Sequence, residues 1–149
     1  MTDKELQPKV KEEAPAEGER VRPGRVFVPA VDIFETPETL VLVADMPGVS
    51  GDNVTLDLKE SHLSVYGTIG PPLGAGETMV EQEYYLGDFQ RDFHLGSLID
   101  QSKIEATMKD GVLRLVMHKV EATCKDGILT IKMAKPEEVK PRKIEVKVG

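Results

Sequence analysis

The side chains able to hold a metal, attack a carbonyl or cradle a phosphate are few in this chain and scattered. Three histidines, His62, His94 and His118, and one cysteine, Cys124, are its whole stock of imidazole and thiol ligands. A structural zinc takes four such donors at short spacings, and these four lie in separate segments. Neither a metal nor a cofactor is expected. Gly74-Ala75-Gly76 is glycine-rich, but no Gly-Lys-Ser/Thr and no helix start follow it, and no nucleophile elbow occurs. No pair of carboxylates stands out as an acid–base couple. No catalytic residue is assigned, and the chain reads as a non-enzyme. A lone cysteine forms no intrachain disulfide. Cys124 occupies the place that Met108 holds in a similar segment, so it reads as a small buried hydrophobe.

Charge and composition narrow the partners. The net charge is −7, with acids and bases interspersed, and Lys140-Pro141-Arg142-Lys143 is the only basic cluster. A nucleic-acid surface needs a basic stripe, so no nucleic acid is expected. No stretch is long enough to span a bilayer, and residues 1–25 carry no apolar run of a leader. The expectation is a soluble, cytoplasmic protein without a membrane partner. Aromatic residues are 5% of the chain and Trp is absent. The core must be aliphatic, and the Val, Ile and Leu that dominate favour strands.

The elements that would position any binding surface are short strands. Residues 1–24 hold only Leu6, Val10 and Val21 as larger aliphatics and read as a disordered arm. An extended segment at 29–36 turns at Pro37-Glu38. Residues 40–44 are nearly all apolar, as in a strand covered on both faces. After Met46-Pro47-Gly48-Val49, the residues Val54, Leu56 and Leu58 alternate onto one face. Leu63 and Val65 alternate again, 70–76 is a loop, and Phe89, Arg91, Phe93 and Leu95 share one side of another strand. Residues 136–141 are a polar linker, and 144–148 a last strand-like segment. No helical period lasts ten residues, so an all-β, immunoglobulin-like antiparallel β-sandwich over 25–135, with a C-terminal tail at 136–149, is the predicted fold.

One hairpin is written twice. Residues 104–119 read IEATMKDGVLRLVMHK and 120–135 read VEATCKDGILTIKMAK, identical at nine of sixteen positions. Asp110-Gly111 and Asp126-Gly127 mark two tight turns, where Asp-Gly takes the positive φ that such turns require. Copy one is apolar at Val112, Leu113, Leu115, Val116 and Met117, and is expected to form the core hairpin, buried on both faces. Copy two alternates, with Leu129, Ile131 and Met133 in and Thr130 and Lys132 out. It is expected to extend the sheet or to project as an extra hairpin carrying the tail. The alternative is register exchange, in which the copies compete for one slot.

The order of these motifs resembles the small heat-shock protein family, built on the α-crystallin domain. The resemblance covers residues 28–149. It rests on Pro29-x-Val31-Asp32-Ile33-x-Glu35-Thr36, Leu42-x-Ala44-Asp45-Met46-Pro47-Gly48-Val49 and Gly87-x-Phe89-x-Arg91-x-Phe93-x-Leu95. It rests also on Ala106-x-x-x-Asp110-Gly111-Val112-Leu113 and Ile144-x-Val146.

That resemblance implies a seven- or eight-stranded sandwich that forms dimers and homo-oligomers built from them. It implies an ATP-independent holdase that binds partly unfolded client proteins and limits their aggregation. In the family the tail of a neighbouring subunit fills an inter-sheet groove. Ile144 and Val146 would be the plugs, Val54, Leu56 and Leu58 one wall, and Ile104, Ala106 and Met108 the other. The alternative for Ile144 and Val146 is a frayed terminal strand. The loop at 68–82 would carry a strand exchanged between dimer partners, or be a plain surface loop. Tyr84, Tyr85 and Arg91 would sit at the dimer interface, with Arg91 paired to a carboxylate or merely exposed on its strand. Gly96 departs from the family's proline, and the arm is short and poor in aromatics, which implies dimers or modest oligomers. A binding adaptor of the related CS-type co-chaperone sandwich is the competing reading. Such domains lack both the hairpin motif that Ala106-x-x-x-Asp110-Gly111-Val112-Leu113 carries and the Ile-x-Ile type of tail, so the sequence disfavours them.

Overall fold

A computed structural model describes residues 24–132 and 142–149. Twelve strands fill them: β1 (Val26–Phe27), β2 (Ala30–Glu35), β3 (Thr39–Asp45), β4 (Val49–Lys59), β5 (His62–Ile69), β6 (Asp88–His94), β7 (Ile99–Lys109), β8 (Val112–Lys119), β9 (Glu121–Lys125), β10 (Ile128–Lys132), β11 (Arg142–Lys143) and β12 (Val146–Val148). One five-stranded sheet runs β1-β6-β5-β4-β11 and the other β12-β7-β8-β3-β2, with β9 and β10 forming a separate pair. The first eight strands are thus the sandwich, and the tail adds one short strand to each sheet.

Alternation decides what the sandwich buries. Successive side chains of a strand point to opposite faces, so each strand contributes every second residue to the shared interior. Leu42 and Ala44 of β3, Leu56 and Leu58 of β4, and Leu63 and Val65 of β5 meet Leu113, Leu115 and Met117 of β8 there. The core is aliphatic, as composition predicts, with Phe27 and Phe89 as its aromatic members.

Copy one is the core hairpin, but it is buried on one face rather than both. Leu113, Leu115 and Met117 face inward, while Val112 is exposed and Val116 half-buried. Its outer face meets water because only one other sheet exists to cover it. β3 comes nearer the two-sided coverage its apolar run predicts, with Val41 buried on the outer face and Val43 partly covered. β1 and the first residues of β7 are strands that the sequence pattern does not reveal. β1 is two residues long and pairs with β6 in parallel, too short for any period to register.

Copy two stands outside both sheets. β9 and β10 pair with each other from Ile128↔Lys125 to Lys132↔Glu121 and with nothing else among the described residues. All of 121–132 is exposed, so Leu129 and Ile131 point to solvent rather than inward, and Cys124 is exposed rather than buried. No second layer is left for this hairpin to pack on, and that overrides its apolar alternation. Met133 lies outside the described residues, as do residues 1–23 of the arm and the whole linker at 136–141. The hairpin is tied at its base, where the Val120 N–H donates to the Leu98 carbonyl at 2.8 Å. Lys103 also lies 3.4 Å from Glu121. The hydrogen bond and charge of Lys103, and then the charge of Lys132, hold the Glu121 carboxyl below its ordinary range.

Candidate peptide-binding groove

The two sheets leave one edge each side by side, and those edges are the candidate site. β4 borders one sheet and β7 the other. Val54, Leu56 and Leu58 on β4 and Ile104, Ala106 and Met108 on β7 are all buried. A strand edge presents unpaired N–H and C=O groups and is a template for a further strand. The C-terminal tail of the same chain supplies that strand to both edges in turn.

The tail first runs antiparallel to β4, with Arg142 opposite Leu58 and Lys143 opposite Asp57. The Ile144 N–H donates to the Leu56 carbonyl at 2.9 Å, and the Arg142 guanidinium donates to the Gln101 carbonyl. The tail then crosses to the other sheet. Val146 to Val148 run parallel to β7, opposite Ala106, Thr107 and Met108, and the Gly149 N–H donates to the Met108 carbonyl at 3.0 Å. Ile144 is 7% exposed and belongs to the core cluster, while Val146 is half-buried against it. The segment at 144–148 is therefore not one continuous strand. It breaks at Ile144-Glu145 because it must change sheets, and the break drops Ile144 between them. This is strand addition, in which backbone pairing holds the peptide and alternate side chains find pockets.

Gly51 is a member of this site that sequence reasoning misses. A Cβ built there lies 2.5 Å from a methyl of Val148, so the Val148 side chain of β12 takes the space that a side chain at position 51 would need. Glycine inside a strand marks a close backbone approach, and that was the signal available.

A second exposed region lies on the far side of the sandwich. β2 ends its sheet with Ile33 and Phe34 exposed. Residues 70–87 form no strand in the single chain, with Met79 exposed and Val80 97% exposed. Tyr84 and Tyr85 are exposed in the same segment, and the Arg25 guanidinium lies 3.8 Å over the Tyr85 ring. Arg91 is not collected with them. It donates to the Pro29 carbonyl at 3.1 Å, a backbone oxygen where a carboxylate was expected. His62 and His94, distant in sequence, face each other across β5 and β6 with ring centroids 5.4 Å apart. Among the described residues no three His, Cys, Asp or Glu side chains gather closely enough to hold a metal. No helix of the described residues is long and apolar enough to cross a membrane.

Both hairpin turns adopt the conformation that Asp-Gly predicts. The φ values are 50° and 75° at Asp110-Gly111 and 52° and 76° at Asp126-Gly127. The first turn is used by the fold: the Gly111 carbonyl accepts the Met46 N–H at 2.7 Å. At the second turn a Cβ on Gly127 would meet nothing within 4 Å among the described residues.

Known proteins resemble this chain in sequence and fold. The chain is 35% identical over 122 residues to the 18 kDa antigen 2 of Mycobacterium avium, covering 82% of this chain and 76% of that one. It is 32% identical over 93 residues to a probable 15 kDa heat shock protein of Leptospira interrogans, covering 62% and 71%. The crystal structure of a small heat-shock protein from Xylella fastidiosa superposes with a TM-score of 0.58 at 30% identity, over 72% of this chain and 97% of that one. A model of the Hsp20/alpha crystallin family matches residues 32–121. That span runs from β2 through copy one and stops at the first residue of β9, so it takes in the sandwich and leaves the second hairpin outside. The chain belongs to the Hsp20/alpha crystallin family.

Proposed function

We propose that the protein is an ATP-independent holdase whose β4–β7 groove receives extended, apolar segments of partly unfolded proteins. The observation that carries this is the tail itself. An extended peptide with two aliphatic side chains two residues apart, Ile144 and Val146, already lies across the two sheet edges. A client segment of the same pattern has the same bonds to make once the tail lifts. The tail is then a competitor for the site, whether it comes from its own chain or from a neighbour. Dimers form through the opposite side. The segment at 70–87 adds Met79 and Val80 to the partner's β2 edge beside Ile33 and Phe34, with Tyr84 and Tyr85 along the contact, while Arg91 holds the Pro29 carbonyl just before β2. The site of action is the reducing cytoplasm, in keeping with a single exposed cysteine.

The test is suppression of the aggregation of a heated client without ATP, for the wild type and for Gly51→Ala. The wild type suppresses aggregation at equal subunit concentration; no suppression removes the holdase reading. Gly51→Ala speeds amide exchange at 146–148 and raises suppression per subunit. Faster exchange without a gain in suppression assigns the clients to another surface.

A further inference from the structure

The second hairpin is an apolar, two-stranded unit with no covering layer, yet its residues are those of a hairpin that is fully employed. In copy one, six side chains are buried: Ile104, Ala106, Met108, Leu113, Leu115 and Met117. Their counterparts sixteen residues later are Val120, Ala122, Cys124, Leu129, Ile131 and Met133, every one apolar. Sixteen is an even number, so a slip by one copy keeps each inward residue inward, whereas an odd slip would turn the whole set outward. The two turns have the same φ angles to within 2°. The ends match as well. Lys119 closes copy one by bonding Glu35 at 2.6 Å and the Thr36 carbonyl at 2.8 Å, and its counterpart sixteen residues later in the sequence is Lys135. Outward positions place Thr130 and Lys132 where Arg114 and Val116 lie on the outer face, and a lysine stem lies along such a face with its ammonium in water.

We propose that copy two is an alternative tenant of the slot between β3 and the tail, so that a single chain exchanges between two registers sixteen residues apart. Copy one holds the slot in the resting state because it fills it better. Val120 is one methylene smaller than Ile104, and Cys124 is shorter than Met108. Loop entropy opposes the exchange weakly, since closure depends only on the logarithm of loop length. The exchange resets the tail's tether. Between the end of the core hairpin and Ile144 lie residues 120–143, twenty-four in number, in the resting register, and residues 136–143, eight in number, in the other. The choice of tenant thereby sets how far the plug can travel from its own groove.

The experiment places a charge in each copy of the full chain. Leu115→Lys puts an ammonium at a fully buried position of copy one, and Ile131→Lys puts one at the exposed counterpart. The expected result is that Leu115→Lys retains sheet structure and a cooperative melt. Its Cys124, now inside, labels with a thiol reagent at least about tenfold more slowly than in the wild type, as for a group that reacts only on opening. Ile131→Lys alone melts like the wild type, and the double variant is unfolded. If Leu115→Lys unfolds as the double variant does, even with copy two enlarged by Val120→Ile, the proposal is overturned. It is overturned equally if Leu115→Lys folds with Cys124 still freely reactive, because the lysine is then tolerated in place. Protection that rises with protein concentration assigns the slot to a neighbour's hairpin and also overturns exchange within one chain.

Discussion

Single residues decide how the sandwich ends are tied. Lys119, the last residue of β8, holds Glu35 at 2.6 Å. Its hydrogen bond and then its charge lower the Glu35 carboxyl from its ordinary 4.5. A carboxylate lowered in the folded state adds stability above its unfolded value and loses it as pH falls through the lowered one. The pair is exposed, so the effect is small. Glu35→Gln is expected to melt slightly below the wild type near pH ~7 and level with it near pH ~3, as followed by circular dichroism; an equal deficit at both values would mean that the charge is not what Glu35 supplies. At this scale the sequence was legible where chemistry is local. Asp110-Gly111 and Asp126-Gly127 turn as their types require. It was illegible where a residue's place depends on what another segment does. Cys124 has the surroundings of Met108 in sequence and none of them in space, and Gly51 matters only because Val148 arrives over it.

Elements were read from alternation, and alternation reports which residues share a face, not whether anything covers it. That is why Val54, Leu56 and Leu58 were grouped correctly on β4, while Leu129 and Ile131 carry the same pattern into solvent. The distinction lies in partners. β8 lies between β7 and β3, whereas β9 and β10 have only each other, and an isolated two-stranded hairpin is marginal in water. Removing residues 120–135 is therefore expected to leave both five-stranded sheets intact and to move Tm by no more than about 4 °C, the equivalent of roughly 1 kcal/mol in a domain of this size. A larger drop would mean that the second hairpin supports the sandwich. Residues 70–82, where a strand exchanged between subunits was expected, form no strand in the single chain.

At the scale of the whole molecule, the proposed assembly rests on two surfaces: the open β2 edge with the segment at 70–87, and the groove that the tail closes. A tail seated in its own groove satisfies that edge within the chain and leaves β2 as the principal site of association, which favours dimers or modest oligomers. Light scattering is expected to report such a species, and Val80→Asp to shift it towards monomer without changing the melt; a stable assembly of two dozen subunits would overturn the size prediction. The general architecture was legible because a sandwich needs many short alternating strands. The tail's route was not, since nothing in its own five residues says that it changes sheets. The junction at Val120 leads elsewhere. There β8 ends, its last backbone groups are tied to Glu38 and Leu98, and a complete folded unit follows without disturbing any ladder upstream. The protein has in effect already accepted a cassette at this point. The same joint is a natural port for grafting a foreign hairpin, such as an epitope, a reporter or a binding loop, onto a chaperone scaffold.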